Sequence, residues 1–343
     1  MTRLLGEILG EIERAGPLPF SRYMELALYH PGNGFYAVGG AGRRRDFITS
    51  PEVGPLFGAL VARAIDGWWA AAGRPDHFVF VEVGAGPGTL ARTVLRSELR
   101  CAGALEYVAV ESSGAQRADH PAEITSLASM PDRVDVGVIF ANELLDNLPF
   151  DILRYDEEHG WREIRVGGAG DRLVEVVVDT DLAPALVGAA TDGMRVPVMT
   201  RAGEWVARAR ATLGRGRVVV VDYAVPGHPV EPGRPWLRTF SDHGPAGDPL
   251  DEPGSKDITA DVDVSQLRAV AEPAGERLQA EWLRGLGIDE LVAAGLAFWD
   301  EHRTAPTLEA IEMRSRATEA AALLEPSGLG GFTVLEWVVD GSE

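Results

Sequence analysis

Hydrophobic positions change texture along the chain, and the change predicts its elements. In MTRLLGEILGEIERAG, Leu4, Leu5, Ile8, Leu9 and Ile12 recur at helical spacing with Glu7, Glu11 and Glu13 among them, an amphipathic helix. Residues 1–74 read as mostly helical, interrupted by the turn-rich segments His30-Pro31-Gly32-Asn33-Gly34 and Gly39-Gly40-Ala41-Gly42. At 77–83 the chain becomes HFVFVEV and breaks at a glycine cluster, which predicts a strand buried on both faces. A helical pattern follows, with Leu90, Ala91, Val94 and Leu95 on one face. Three further apolar runs, at 107–110, 136–140 and 217–221, lead into Glu111, Ala141-Asn142-Glu143 and Asp222-Tyr223. Apolar runs separated by helical patterns predict βαβ units and an α/β fold with a parallel sheet. Polar residues at the carboxyl ends of such strands stand where open α/β sheets bind ligands.

Two segments break the alternation. Residues 150–178 suggest a short antiparallel excursion turning at His159-Gly160. Residues 225–257 carry seven prolines from Pro226 to Pro253 and read as a long ordered loop or insertion. Helical texture resumes at 263–272 and 287–325, and 332–339 reads as a closing strand at a sheet edge. This organisation divides the chain into a mostly helical region at 1–74 and an α/β region at 75–343 with insertions at about 150–200 and 225–325.

Composition narrows the function. A chain of 343 residues with 45% hydrophobic and 24% charged residues has a core and is not disordered. No apolar stretch reaches the length of a membrane span. With 52 acidic against 32 basic residues, the net charge of −20 disfavours nucleic acid and anionic membranes and favours a basic protein or peptide partner. Cys101 is the single cysteine, so no internal disulfide or thiolate metal cluster forms, and it reads as a small buried thiol. The seven histidines show no metal-ligand spacing, and no metal is expected. The N-terminal helix is neither a secretory segment nor, with its acids, a transit peptide, so a cytoplasmic location is expected. Lys256 is the sole lysine, a composition bias without chemical meaning here.

The strongest local element is Val81-Glu82-Val83-Gly84-Ala85-Gly86-Pro87-Gly88-Thr89. Glycines at alternate positions after a strand let the backbone turn tightly and approach a ligand, and the helix start offers N–H groups to a carboxylate or phosphate. A purely structural turn is the competing reading. A dinucleotide fingerprint would put its third glycine one residue beyond Gly88. Glu82 ahead of the turn suits a cationic ligand, and Glu111 is placed to accept from ribose hydroxyls. S-adenosylmethionine satisfies all three features. NAD shares only the ribose argument. Ala85, Thr89, Ser112 and Asn142 complete the candidate cofactor set.

After the strand at 136–140 comes Asn142-Glu143-Leu144-Leu145-Asp146-Asn147-Leu148-Pro149. Methyl transfer depends on alignment and water exclusion. A guanidinium acceptor needs carboxylates to hold it bidentately. Glu143 and Asp146, three apart on a turn or short helix, are candidates for that clamp. A helix cap and a solvated edge acid are the plainer alternatives.

At this point the chain resembles the MidA-like class I methyltransferases, relatives of the mitochondrial complex I assembly-factor arginine methyltransferase. The resemblance is carried by YMELALYHPGNGFY at 23–36, DFITSPEVGPLFG at 46–58, VEVGAGPGTL at 81–90, NELLDNLP at 142–149 and DITADVD at 257–263. Trp282-Leu283, Leu286-Gly287-Ile288 and Leu329-Gly330-Gly331-Phe332 add to it. It implies a Rossmann-like core at 75–343 with an N-terminal helical cap or substrate region at 1–74, S-adenosyl-L-methionine as cofactor and arginine methylation of a protein. By position, Glu82, Gly84, Gly86, Gly88 and Glu111 would hold the cofactor. Asn142, Glu143 and Asp146 would line the reacting centre, with Thr49, Ser50, Pro51 and Glu52 closing over it. The chain departs from the family pattern at Arg45 and Val264, and keeps only part of it around Arg238, Phe240 and His243. Tyr223 and His243 are further substrate-contact candidates. A small-molecule methyltransferase and a catalytically weak assembly factor are the alternatives, and a homodimer is compatible with the amphipathic helices near both ends.

Overall fold

The five runs read as strands pair in one seven-stranded sheet with two further strands, Thr125–Leu127 and Gly275–Leu278, that the sequence pattern does not mark; all seven are numbered in chain order. They are β1 (Phe78–Val83), β2 (Leu105–Val110), β3 (Thr125–Leu127), β4 (Val134–Asn142), β5 (Leu213–Asp222), β6 (Gly275–Leu278) and β7 (Thr333–Val339). The order across the sheet is β3-β2-β1-β4-β5-β7-β6. Neighbours from β3 to β5 run parallel, whereas β7 lies antiparallel to both β5 and β6. The order 3-2-1-4-5 is doubly wound, and the direction of winding reverses between β1 and β4. The computed structural model describes residues 2–37, 49–182, 190–225, 235–241 and 244–341.

The chain separates into two compact units, and their boundaries differ from a division at residue 74. One unit comprises 48–143, 208–222 and 273–343 and contains the whole seven-stranded sheet. The helix Pro55–Ala71 therefore belongs with the sheet. Its buried Leu56, Phe57, Leu60, Val61 and Ile65 join Phe80, Phe140, Val219, Val221 and Trp282 in one core cluster. Aromatic rings run through that core, with Trp68 stacked on Phe80 and Phe140 stacked on Trp282. Each such side chain buries a large apolar area, so the cluster is the main source of stability for this unit.

The other unit comprises 1–47, 144–207 and 223–272. It opens with the amphipathic helix Arg3–Ala15, where the Thr2 hydroxyl accepts from Leu5 N at 3.3 Å, and continues with the helix Phe20–Tyr29. Residues 150–178 form more than a short excursion. Asp151–Asp156, Gly160–Ala169 and Arg172–Asp179 pair antiparallel, and Leu18–Pro19 and Arg195–Val198 extend them to a five-stranded sheet. The turn at 157–159 is held by the Asp156 carboxylate, which accepts from Glu158 N and His159 N.

Three expectations need correction. The strand at 333–339 is not an edge: it lies between β5 and β6, with Val334, Leu335 and Trp337 buried. The segment 225–257 is not all loop, because Leu237–Ser241 pairs antiparallel with Gly244–Pro245 and with Asp257–Ala260. Leu95 turns outward at 37% exposure while Leu90, Ala91 and Val94 are buried, because the helix Thr89–Leu95 ends there.

Candidate active site at the carboxyl edge of the sheet

Register brings the strand ends together. Val83 stands beside Val110 on one side and Ala141 on the other, and Asn142 stands beside Val221. The glycine turn after β1, the acid after β2 and Asn142-Glu143 after β4 therefore share one edge, and the first and last of them flank the winding reversal. A doubly wound sheet opens a ligand crevice there.

In the glycine turn, Gly84, Gly86 and Gly88 all take positive φ (75°, 54° and 80°). At Gly88 space matters as well, since a Cβ would lie 3.1 Å from Pro121 Cδ and 3.3 Å from His120 Cδ2. The turn's own amides are engaged internally. Gly84 N and Ala85 N donate to Val110 O, Gly88 N donates to Ala85 O, and Pro87 has none. Gly86 N donates to Glu111 Oε2 at 3.1 Å. The turn thus offers close approach rather than free donors.

Glu111 is fixed from both sides. Its Oε1 accepts from Ser113 N at 2.7 Å and from the Ser112 hydroxyl at 3.3 Å, and the Arg117 guanidinium holds the main-chain oxygens of Glu111 and Ser112. A carboxylate has about four acceptor sites, so Oε2, with one donor, keeps capacity for a hydroxyl. Glu82 points into the sheet at 5% exposure and accepts from the Tyr107 hydroxyl at 2.6 Å. Burial pushes its carboxyl up to about 8, an effect that the Tyr107 hydrogen bond opposes and the nearby Glu111 charge reinforces.

Glu143 sits just past β4 with φ +53°, a left-handed conformation uncommon for a residue with a side chain. Its N–H donates to Val221 O at 2.8 Å, and its Oε1 accepts from Asn142 Nδ2 at 2.8 Å and from Ser50 N at 3.3 Å. Strained backbone held by its surroundings clusters at functional sites. Asn142 Oδ1 is buried with no hydrogen-bond partner among the described residues.

Thr49-Ser50-Pro51-Glu52 starts the short helix Ser50–Val53, in which Thr49 N donates to Glu52 Oε2 at 3.4 Å. Ser50 is fully buried, and its hydroxyl donates to Gln279 Oε1 at 3.1 Å. The structure thus joins Ser50 to Glu143 and adds Gln279, Tyr107 and His120, which sequence reasoning missed. Gln279 and His120 carry no spacing signal. Tyr107 was visible only as a strand residue.

Asp146 and Tyr223 belong to the other unit and are described within it. Asp146 lies in the short 3-10 turn Leu145–Asn147, which does not include Glu143. Its Oδ2 accepts from the Thr259 hydroxyl at 2.6 Å, and burial raises its pKa. Asp257, also buried, accepts through Oδ1 from the Tyr36 hydroxyl at 2.9 Å, Asn147 Nδ2 at 3.0 Å and Ile258 N at 3.0 Å. Burial first, and the Asp146 charge second, push Asp257 up to about 7. The Arg238 guanidinium stands 5.1 Å over the Tyr223 ring and 2.6 Å from Asp261 Oδ1. His243 and Arg45 lie outside the described residues. Among those residues, no helix is long and apolar enough to cross a membrane, and no group of three or more His, Cys, Asp or Glu could hold a metal ion.

A doubly wound sheet, a glycine turn after its first strand and an acid after its second define a Rossmann-like enzyme of the class I methyltransferase type. Residues 60–281 match the model of a family described as S-adenosyl-L-methionine-dependent methyltransferases, and that match covers well over half of the chain. The chain belongs to this family, the MidA-like methyltransferases, and S-adenosyl-L-methionine is its methyl donor. It is 28% identical to the human mitochondrial protein arginine methyltransferase NDUFAF7, over 84% of this chain and 74% of the relative. The fruit-fly homolog of that protein is 28% identical over 79% of this chain and 70% of its own length. A crystal structure from Burkholderia thailandensis bound to S-adenosyl-homocysteine is 28% identical, superposes with a TM-score of 0.83, and covers 98% of this chain and 91% of its own. The expected cytoplasmic location is overturned by these comparisons: the human, mouse and fruit-fly relatives are all named as mitochondrial proteins.

Proposed function

We propose that this methyltransferase acts on the guanidinium of an arginine in a protein partner. The observation that carries this reading is the likeness to proteins named as arginine methyltransferases over most of both chains. The acidic balance of 52 to 32 is electrostatically suited to a basic acceptor.

The residues at the strand ends fit the methyl donor. Glu82, Gly84, Ala85, Gly86, Gly88, Thr89, Glu111, Ser112 and Asn142 are assigned to it, with Glu111 on the ribose hydroxyls and the glycines allowing close contact. When bound, S-adenosyl-L-methionine supplies an electrophilic methyl group on its sulfonium. Glu143, held by Asn142 and Ser50, presents a fixed carboxylate that would accept N–H bonds from a guanidinium, orient its attacking nitrogen and oppose its rotation. Asp146 is assigned to the same reacting centre, and Thr49, Ser50, Pro51, Glu52, Tyr223 and His243 to acceptor contact.

The test is methyl transfer from labelled S-adenosyl-L-methionine to arginine-containing peptides, read by mass spectrometry. Methylated arginine is the expected product. Transfer confined to small molecules, or to other side chains, would replace this reading.

A further inference from the structure

A segment with no assigned role straps the glycine turn. It follows β2, and three of its residues in succession touch the turn or the helix after it. Arg92 of the helix Thr89–Leu95 donates to Asp119 O. The His120 ring bonds to Gly86 O through Nε2 at 2.8 Å and to the Ser126 hydroxyl through Nδ1 at 2.8 Å. Pro121 closes against Gly88, where a Cβ would come within 3.1 Å of its Cδ.

The His120 contacts fix a tautomer. A carbonyl oxygen only accepts, so Nε2 carries the proton, and Nδ1 then accepts from the Ser126 hydroxyl on β3. The bond falls on the central peptide of the turn that Gly88 N closes by donating to Ala85 O. The Gly86–Pro87 unit has no N–H, so its oxygen is its one polar anchor, and Gly86 at φ +54° has no side chain to restrain it. Glu111 holds the N–H of Gly86 while His120 holds its carbonyl. One glycine is thus clamped at both of its peptides.

We propose that His120 is a positioning residue for the cofactor, holding the Gly86–Pro87 peptide in its ligand-ready orientation through the bond from Nε2. Without it, that peptide is held only by the Pro87 ring and the Gly88 N to Ala85 O bond, and the Gly86 oxygen samples a wider range of directions, some of them towards an anionic ligand group. Ordering it again on binding would lower affinity. The proposal rests on the reading that the glycine turn and Glu111 hold the cofactor.

The test is calorimetric titration of the full chain with S-adenosyl-homocysteine, comparing the unaltered protein with His120→Ala, His120→Gln and Glu111→Ala. We expect His120→Ala to weaken binding about tenfold. His120→Gln should restore affinity to within about threefold, because its amide again supplies one donor and one acceptor. Long-range proton–nitrogen NMR should report the Nε2–H tautomer at His120. If Glu111→Ala binds with unchanged affinity, the assignment of the cofactor to this turn fails, and the proposal with it. If Glu111→Ala binds weakly but His120→Ala binds normally, the positioning role alone is wrong. Equal losses of affinity and melting temperature in both His120 variants would make the residue merely structural, and an Nδ1–H tautomer would remove the bond to Gly86. Should His120→Ala fail to fold, the Gln variant and the tautomer decide the matter.

Discussion

Tyr107 and Glu82 sit on neighbouring strands two positions out of register, and the Tyr107 hydroxyl donates a 2.6 Å hydrogen bond into a carboxyl almost sealed from water. Its pKa, raised to about 8, leaves Glu82 mostly protonated at neutral pH. A cationic group of the methyl donor placed against it would favour the anion and expel a proton. Calorimetry of S-adenosyl-L-methionine at pH 7, in buffers of different ionisation enthalpy, should therefore show release of up to about one proton. Identical enthalpies in all buffers would mean that Glu82 does not meet a cation.

The same group predicts a stability trend. The folded pKa lies above the ordinary value of 4.5, so the folded state holds this proton longer than the unfolded state. Its contribution is full below about pH 4.5 and is lost as pH rises to about 8. Glu82→Gln has no ionisable group there. Relative to that variant, the unaltered protein should lose about 2 kcal/mol between pH 6 and pH 9 in urea unfolding. Parallel curves for the two proteins would contradict the raised pKa.

Asp257 obeys the same sign with a lower ceiling, its contribution fading from about pH 3.8 to about 7. In Asp257→Asn the side-chain oxygen can still accept from Tyr36, Asn147 and Ile258, while the like-charge contact with Asp146 disappears. Above pH 7 this variant should be more stable than the parent by about 1 kcal/mol. A variant that melts lower at pH 8 would show that the ionised carboxylate is needed for folding.

Glu143 combines a left-handed backbone with the carboxylate proposed to hold the acceptor. Glu143→Gln keeps the side-chain oxygen that accepts from Asn142 and Ser50 but removes the charge. S-adenosyl-homocysteine affinity should stay within about threefold, while methyl transfer falls by about a hundredfold. Full transfer activity in this variant would remove the carboxylate from the reaction.

Cys101 is 1% exposed, and burial together with Asp66 pushes its thiol up to about 12. The folded protein should be nearly inert to thiol reagents at pH 8 and yield one reactive thiol on unfolding. Fast labelling of the native state would place the residue in a more open setting than its surroundings allow.

Strands buried on both faces were legible because they are continuous apolar runs, as at Phe78–Val83. The four residues of β6 were not, because Gly275-Glu276-Arg277-Leu278 is partly exposed and charged. The neighbouring β7 then lost its partner on paper and looked like an edge. At the site, Glu82, Glu111 and Glu143 could be found because each lies at a strand end, where position along the chain fixes position in the sheet. His120 sits in a loop nine residues beyond Glu111, and its ring meets Gly86 only through the path of that loop. Ser50 and Gln279 likewise reach their partners through tertiary packing that no local pattern encodes.

The placement of β7 gives the sheet a timetable. Val218 to Val221 of β5 are fully buried in the finished molecule, yet the strand covering their second flank begins only at Thr333. At about 5–20 residues per second, a ribosome would leave that valine-rich edge open for roughly 5–20 s. An open apolar edge is a template for pairing with another chain. Chains stalled on the ribosome just before Thr333 should bind a dye that senses apolar surface, and full-length chains released from it should not.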